Sequence, residues 1–458
     1  MTVEENAAAI ATLNANATQI WILIAGFLVF WMHAGFAMLE AGSVRAKNTI
    51  NILFKNIGTI SIGAIMYFTI GYSFAYGQKN HDEKVSRFAG AGDWALTDST
   101  NESKHMWFFQ YAFAATASTI LSGGIAGRAK LEMYFICCIF LTGFIYPIVS
   151  HWVWDTNGWL SAFAPPYKRI GYDTDKNTCG FIDYAGSGVV HLTGGVAALV
   201  GTIFVGSRTG RWECPEHFAA HNYALVCIGV LILWFGWYGF NCGSTLAFDG
   251  QVASKVAVTT TLSPAMASIT GSLLMYFLKH KWDITVALNC VLAGLVSITA
   301  GCSVVSDWHA IFIGMIGALV YLGASNLMLM AQLDDPVDAV AVHGACGIWG
   351  CLAVGIFAEA SEIKNAYDCP KAEGNGSGLQ FAIQLAGVCA IIAWVGITMT
   401  IVVLGIKFTI GLRVSKEEEQ RGLDVSEHGD VAYAKNSAPG LDVEMAKRNA
   451  DNEKKQEA

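Results

Sequence analysis

Charged side chains are scarce in this 458-residue sequence. Asp, Glu, Lys and Arg together make up 14% of the residues, whereas a soluble domain contains about 25%. Hydrophobic residues make up 54%, and the mean hydropathy is +0.44. This composition excludes an ordinary soluble globular protein and is typical of a chain that crosses a membrane many times.

Basic residues are absent from the first 17 positions, which are acidic. A cleavable signal peptide begins with a positively charged region, so we expect the first apolar segment to be retained as a membrane anchor. The net charge of −8 owes much to the polar loops and the C-terminal tail. It gives no indication of a nucleic-acid partner.

Runs of about 20 apolar residues, the length that a helix needs to cross a bilayer, occur repeatedly along the chain. We predict an all-α polytopic membrane protein with eleven transmembrane helices. An odd number of spans places the two termini on opposite faces of the membrane. The predicted spans are residues 18–43, 49–76, 105–127, 131–154, 185–206, 221–242, 254–278, 283–302, 306–330, 336–359 and 378–412.

The distribution of Lys and Arg predicts the orientation, because short cytoplasmic connections are enriched in both residues. Connections after odd-numbered spans hold eight basic residues in 31 positions, whereas the opposite face holds nine in 107. We therefore expect the N-terminus outside and the C-terminus inside. The three glycosylation sequons, at Asn16, Asn101 and Asn375, all fall on the predicted outer face.

Most of the 12 cysteines lie inside predicted spans, where cysteine behaves as a small apolar residue. Cys179 and Cys369 are the two that fall in connections on the predicted outer face. Either a disulfide between them or two free thiols is compatible with the sequence.

Two histidines occupy corresponding positions in the two halves of the chain. His191 ends the sequence Asp-Tyr-Ala-Gly-Ser-Gly-Val-Val-His, and His343 ends Asp-Pro-Val-Asp-Ala-Val-Ala-Val-His. Ionisable side chains at membrane depth are costly, about 2.5–3.5 kcal/mol for charged types, so a repeated pair is a functional hypothesis by default. Each histidine lies eight residues after an aspartate, Asp183 or Asp335. An N-cap or loop-ordering role is the plainest one for such an aspartate.

The repeat divides the chain into spans one to five, spans six to ten and an extra eleventh span. Because each half holds an odd number of spans, the second half must enter the membrane inverted. Inverted repeats place binding sites near the membrane midplane, between the two halves. We therefore expect His191 and His343 to face each other.

A metal site is the alternative use of these histidines, since His343 and Cys346 are three residues apart. Zinc and copper sites normally need three or four ligands. No further sequence-local His, Glu or Cys set accompanies this pair, so we expect neither a metal nor a cofactor.

Aromatic residues cluster at the outer ends of the third, fourth and sixth predicted spans. They are typical of an interfacial aromatic belt, but they would also suit a cation site, because ring faces attract a cation by about 0.5–2 kcal/mol. Ser244 adds a hydroxyl acceptor nearby. The aromatic residues are Trp107, Phe108, Phe109, Phe113, Trp152, Trp154, Trp234, Trp237 and Phe240.

The cost of dehydration limits what such a site can pass. Moving a bare cation into a dry medium costs on the order of 20 kcal/mol, which cation–π contacts and two neutral imidazoles cannot offset. Neutral ammonia or an amine loses only a few kcal/mol and recovers part of it by hydrogen bonding to imidazole. The residues therefore favour a substrate that sheds a proton at the outer aromatic site, with the histidines relaying the proton or guiding the neutral species.

Several stretches resemble the ammonium transporter (Amt/Mep/Rh) family, and they are most similar to its plant-type Amt branch. The resemblance runs from the first predicted span to Tyr433, and the nonapeptide that ends at His191 is its most specific part. Glu40 stands where plant-type members carry a cysteine. The resembling stretches are residues 36–48, 183–191, 237–244, 335–347 and 411–433.

The resemblance implies a homotrimer of eleven-helix protomers, each with its own pore. It implies an outer ammonium site formed by Phe113, Trp154 and Ser244 and organised by Asp183. Phe113 and Phe240 would form a stacked gate with Phe109 beside it, and His191 and His343 would form a hydrogen-bonded pair below the gate.

The tail resembles the family's regulatory C-terminal region, which docks on a neighbouring protomer. Ser426 stands where plant-type members carry a phosphorylatable threonine. A phosphate placed there by a kinase would add a charge of about −1.5 to −2 beside Asp424 and Glu427, which we expect to loosen docking.

We therefore predict a plasma-membrane ammonium transporter rather than an enzyme, electrogenic, with ammonium and methylammonium as candidate substrates. An electroneutral ammonia channel and an ammonium sensor are the alternatives, and no kinase or receiver signature follows residue 433. The predicted parts are an extracellular segment (1–17), a transmembrane domain (18–412), a cytoplasmic regulatory region (413–434) and a disordered tail (435–458).

Overall fold

The fold is all-α in a computed structural model that describes residues 2–78, 86–97, 103–171, 179–367, 369 and 378–433. No strand occurs in these residues, which contain only two isolated β-bridges. The helices are α1 Val3–Ser43, α2 Ala46–Tyr76, α3 Lys104–Gly124, α4 Leu131–Trp154, α5 Ser187–Val205, α6 Tyr223–Gly243, α7 Gly250–Lys279, α8 Ile284–Thr299, α9 Asp307–Met330, α10 Val340–Phe357, α11 Ala360–Tyr367, α12 Gly378–Thr409 and α13 Lys416–Arg421.

Within the described ranges, nine helices are long and apolar enough to cross a membrane. The prediction of an all-α chain with many membrane-capable helices is therefore confirmed. Two further helices coincide with predicted spans: α8 is shorter, and α3 is less apolar. Every residue of α3 from Phe109 to Gly124 is buried, so its small and polar side chains face other helices rather than lipid.

The first helix begins at Val3, well before the predicted start of the first span at residue 18. Thr2 and Glu5 form a capping box that satisfies free backbone N–H groups at this end. The segment predicted as a separate extracellular N-terminus is therefore a helical extension of α1.

Polar N-caps define the start of several other helices. The side chains of Asn222, Asp249 and Asp283 accept backbone N–H groups at the starts of α6, α7 and α8. Such caps satisfy donors that have no partner within the helix.

The two histidine segments have the same local structure. Both α5 and α10 begin with a π-helical turn, Ser187–Leu192 and Val340–Ala345, and each turn contains the histidine. Single π turns are rare in proteins, and those that do occur are often found at functional sites.

Glycines allow these two segments to touch. A Cβ atom on Gly195 would lie 2.2 Å from the backbone nitrogen of Gly344, and one on Gly347 would lie 2.7 Å from the carbonyl oxygen of Ser187. Each glycine lies four residues after its histidine. The contact between α5 and α10 is therefore reciprocal.

Candidate functional site

An open cavity of about 370 Å³ lies where α3, α4 and α6 meet. The predicted residues Phe109, Phe113, Trp154 and Ser244 all line it. The fold therefore brings these predicted side chains together from α3, α4 and the residue that follows α6. The other lining residues are Tyr72, Tyr76, Gln78, Met106, Gln110, Asp155, Thr156, Phe163, Tyr184 and Leu246.

Asp183 holds the loop before α5 and thereby positions Trp154. Its buried carboxylate accepts the backbone N–H groups of Gly186, Gly188 and Val189 at 2.8–3.0 Å. Its carbonyl oxygen accepts the indole N–H of Trp154 at 2.8 Å. The aspartate thus fixes a cavity wall without lining the cavity.

The hydroxyl of Ser244 is oriented to receive a donor. It donates its only hydrogen to the carbonyl oxygen of Phe240, at 2.8 Å. The oxygen lone pairs then remain available at the cavity wall, where they can accept an N–H from a cationic or neutral amine.

Stacked phenyl rings close the bottom of this cavity. The ring centroids of Phe113 and Phe240 are 4.0 Å apart, with planes inclined by 25°. Phe109 packs beside Phe113 at 4.7 Å, and the indole ring of Trp154 meets Phe113 edge-on at 5.9 Å. Phe113 and Phe240 are fully buried, and of the two only Phe113 lines the cavity.

His191 lies directly beyond the phenyl pair, with its ring stacked on Trp237 and Phe240. The Nδ1 atoms of His191 and His343 are 3.2 Å apart, and the two rings are nearly parallel. At this distance one Nδ1 must carry the shared hydrogen and donate it to the other. Two cationic imidazoles cannot share this contact, because both nitrogens would then be donors.

The cavity, Phe113, Phe240, His191 and His343 follow one another in space. The histidines are buried among apolar and aromatic residues, so their ring nitrogens place polar groups directly behind the phenyl rings. Such an arrangement can bind a cation in the cavity, exclude it at the rings and offer a hydrogen-bond partner to a neutral molecule below.

The sequence did not single out four polar residues of the cavity wall, namely Tyr72, Tyr76, Asp155 and Tyr184. Tyr184 and Asp155 directly follow the predicted residues Asp183 and Trp154 in sequence, and this adjacency was an available signal. The tyrosines of α2 carried no such signal, because the path of α2 past α4 is a tertiary feature.

A second cavity, of about 270 Å³, lies on the opposite side, next to the start of α10. Asp334 lies there, and its carboxylate accepts two N–H groups from the Arg208 side chain at 2.7 and 2.8 Å. Burial alone would raise the pKa of this carboxyl, but the hydrogen bonds and charge of Arg208 hold it well below its usual value. Asp335, for which a structural role was predicted, accepts a hydrogen bond from Val340 N–H, and Asp338 accepts one from the Tyr321 hydroxyl.

The tail returns to this side of the molecule and docks on the same chain. Glu419 is fully buried and accepts hydrogen bonds from Thr209 and Arg413. The backbone N–H of Asn51 donates to Asp424, and the Tyr433 hydroxyl hydrogen-bonds to His221. These contacts belong to the segment that was predicted to be regulatory.

Ser426 lies in the π-helical turn Asp424–His428 of this tail and is half-buried. Its hydroxyl lies 3.5 Å from the carbonyl oxygen of Glu418. The predicted disordered residues 435–458 lie outside the described part of the chain.

The remaining site predictions concern the outer connections. Cys179 and Cys369 form a disulfide, with Cα atoms 5.8 Å apart. Asn16 is exposed on α1, whereas Asn101 and Asn375 lie outside the described residues. Among the residues described, no cluster of three His, Cys, Asp or Glu side chains is arranged to hold a metal.

Known proteins are similar to this chain in both sequence and fold. The model of the Ammonium Transporter Family matches residues 20–433. Ammonium transporter 1 member 3 of Solanum lycopersicum is 40% identical over 92% of this chain and 94% of its own length. Ammonium transporter Amt2 of Archaeoglobus fulgidus is 39% identical over 90% and 87%.

Two solved structures extend this similarity. A structure described as a sensor Amt protein has a TM-score of 0.78 and 31% identity, covering 91% of this chain and 99% of its own. Candida albicans Mep2 has a TM-score of 0.78 and 27% identity, covering 93% of each chain. The family model and the curated relatives together confirm the resemblance seen in the sequence: the chain belongs to the ammonium transporter family.

Proposed function

We propose that this protein transports ammonium electrogenically, by binding the ion in the outer cavity, removing one proton and conducting ammonia past the phenyl rings. The observation that carries this proposal is the 3.2 Å contact between His191 and His343 directly behind the rings. The names of the relatives, all ammonium transporters, support the choice of substrate.

The outer cavity supplies what an ammonium ion needs. The indole of Trp154 and the ring of Phe113 offer faces for cation–π attraction, and Ser244 offers an acceptor. Asp183 contributes a negative charge behind Trp154 while holding the loop. The wall thus favours a cation over a neutral molecule of the same size.

Beyond the rings the surroundings favour a neutral molecule over a cation. An intact ion would face a desolvation cost on the order of 20 kcal/mol, and the described pore wall offers it only ring faces and two neutral imidazoles. Ammonia accepts or donates a single hydrogen bond at each histidine and moves on. The proton released by ammonium is accepted by the second ring nitrogen of His191, the shared hydrogen shifts from one Nδ1 to the other, and His343 releases a proton from its second ring nitrogen. One positive charge therefore crosses with each ammonia, which makes the transport electrogenic.

We extend the proposal to the architecture. Eleven spans in an inverted 5+5 repeat with one extra helix are supported by the matching π turns and the reciprocal glycine contacts of α5 and α10. We also propose that the protein lies in the plasma membrane with its N-terminus outside and its C-terminus inside, and that it assembles as a homotrimer. We propose methylammonium as a second substrate and a kinase that acts at Ser426.

Sensing is a second candidate function, because one of the similar structures is described as a sensor Amt protein. In that case the outer cavity would bind ammonium, and the docked tail would report occupancy. An electroneutral ammonia channel would use the same histidines without moving a proton.

Ammonium-evoked current and pH change in proteoliposomes separate these functions. We expect a saturable inward current in the native chain and a reduction of roughly tenfold or more in His191→Ala, which removes one partner of a buried hydrogen bond. His309→Ala is the matched control, because His309 is partly exposed and contacts Glu359 away from the pore. A pH change without current would establish the electroneutral channel, and silence in both measurements would favour the sensor.

A further inference from the structure

A lysine and a glutamate are buried together beside the pore, and the transport mechanism above leaves them without a role. Lys55 of α2 forms an ion pair with Glu40 of α1, and their side chains are 0% and 2% exposed. Ionisable groups inside transmembrane helices are costly, and they commonly mark ion paths or proton relays.

The two carboxylate oxygens of Glu40 have different surroundings. Oε2 accepts from Lys55 and from the Asn56 side-chain amide, the latter at 2.9 Å. In the described part of the chain, the one hydrogen-bond donor near Oε1 is the Ser122 hydroxyl, whose oxygen is 3.4 Å away. That hydroxyl has a single hydrogen and lies closer to the Thr119 carbonyl oxygen, at 2.7 Å. Oε1 is therefore the oxygen that is open to a proton.

A small space connects Glu40 with His343. It has a volume of about 10 Å³, close to that of one water molecule, and both Glu40 and His343 line it. Gly123 leaves room beside Oε1, since a Cβ atom there would lie 3.3 Å from that oxygen. Val337 lines this space and also the larger cavity next to Asp334.

Packing alone gives little reason for this pair. A buried ion pair is often no more stabilising than apolar residues of the same volume, and α1, α2 and α3 already share an apolar core. The position of the pair between the histidines and the second cavity points instead to a role in transport.

We propose that Glu40 is the proton-carrying group at the inner end of the pore, with Lys55 holding its carboxylate in place; this rests on the electrogenic transport proposed above. A proton reaching His343 passes through one water molecule in the small space to Oε1 and leaves a neutral carboxyl beside the Lys55 ammonium. Glu40 then loses the proton past Val337 to water in the second cavity, and the carboxylate returns. One proton crosses for each ammonia, and both His343 and Glu40 return to their starting charge at the end of the cycle.

The test uses the full-length protein in proteoliposomes, with ammonium-evoked current and ammonia-driven pH change measured on the same preparation. In the double variant Glu40→Gln and Lys55→Met, no charge stays buried alone, so its folding is not compromised by an unpaired ion. We expect its current to fall roughly tenfold or more, as for loss of a proton-transfer group, while ammonia permeation remains. Glu40→Asp, which keeps a carboxylate, should retain more current than Glu40→Gln.

The ion pair of Lys255 and Glu362 provides the control, because it joins α7 to α11 away from the pore at 2.8 Å. Its neutralisation by Lys255→Met and Glu362→Gln should leave the current unchanged. Native current in the Glu40 double variant would overturn the relay while leaving electrogenic transport standing. If that variant does not fold, equal currents in Glu40→Asp and Glu40→Gln would overturn it, and a native chain without current would overturn both proposals.

Discussion

The contact between the two histidines depends on residues that have no functional groups. The Nδ1 atoms come within 3.2 Å because the backbones of α5 and α10 touch at Gly195 and Gly344. Protein interiors are close-packed and transmit small volume changes to their neighbours. The hydrogen bond is therefore sensitive to a single methyl group some distance along the helix.

We predict that Gly195→Ala reduces ammonium transport by roughly tenfold or more. The added Cβ atom would lie 2.2 Å from a backbone nitrogen, which cannot move aside as a flexible side chain could, and overpacking of this kind typically costs about 1–3 kcal/mol. The separation of α5 from α10 would lengthen the histidine contact. Transport per molecule at the membrane surface is the measurement.

Gly405→Ala is the matched control for this substitution. Gly405 is exposed on α12, and a Cβ atom there meets nothing within 4 Å. It should leave transport and thermal stability unchanged. Native transport by Gly195→Ala would show that the histidine pair tolerates a wider separation than the structure suggests.

Single residues differ in how well the sequence predicts their surroundings. His191 and His343 were expected to face each other because their segments are similar, and such a similarity can be recognised in the amino-acid sequence. The stacking of Phe113 on Phe240 joins α3 to α6, and helical spacing carries no information about which faces of distant helices meet. Only the resemblance to a known family suggested that contact.

Helix positions were predicted well where apolar length decides them and less well where tertiary contacts do. The predicted spans at 131–154 and 306–330 agree with α4 and α9 to within one residue. The tenth was expected to begin at residue 336, but α10 begins at Val340. Asp338 has a φ of +57°, a left-handed conformation that a helix does not contain, so residues 336–338 are not helical.

The docking of the tail involves a carboxyl group, that of Glu427, with a raised pKa. Glu427 accepts a hydrogen bond from the Asn51 side chain and is half-buried against α2. Burial and the nearby charges of Glu132 and Glu418 raise the pKa of Glu427 to about 7, although the Asn51 hydrogen bond opposes the shift. Near neutral pH this carboxyl therefore gains or loses a proton while the tail is docked.

We predict that the docked tail loosens as the pH rises from 6 to 8. A raised pKa in the docked state means that docking favours the protonated carboxyl, so the stabilisation is complete below the ordinary pKa and is lost through pH 7. One proton would give a change of up to roughly tenfold in the docking equilibrium, and solvent screening of a half-exposed group reduces this to several-fold. Amide-exchange protection of residues 418–433, corrected for intrinsic exchange, measures it.

Glu427→Gln should remove this pH dependence, because the amide keeps an acceptor for Asn51 but does not titrate. His428 lies 3.5 Å from the same Asn51 side chain, and it provides the competing explanation. If the dependence persists in Glu427→Gln and disappears in His428→Gln, the histidine is the responsible group.

At the scale of the whole molecule, the sequence correctly predicted the membrane class, whereas the repeat stays a prediction and the assignment of the two membrane faces depends on charge counting. The structure adds a physical argument, because the disulfide of Cys179 and Cys369 ties the connection before α5 to the one before α12. Disulfides persist in oxidising compartments. This supports the proposal that the two connections lie on the outer side, together with the cavity lined by Trp154 and Thr156.

We predict that a membrane-impermeant maleimide labels Tyr167→Cys in intact cells and labels Lys281→Cys only after permeabilisation. Tyr167 is 68% exposed in the connection that follows α4, and Lys281 is exposed between α7 and α8. The two positions are separated by an odd number of proposed spans, so they must lie on opposite faces if the count of eleven is right. The native chain provides the background, since most of its free thiols are buried. Equal labelling of both variants in intact cells would contradict the span count, and the reverse pattern would keep the count but invert the orientation, placing the aromatic cavity on the cytoplasmic side.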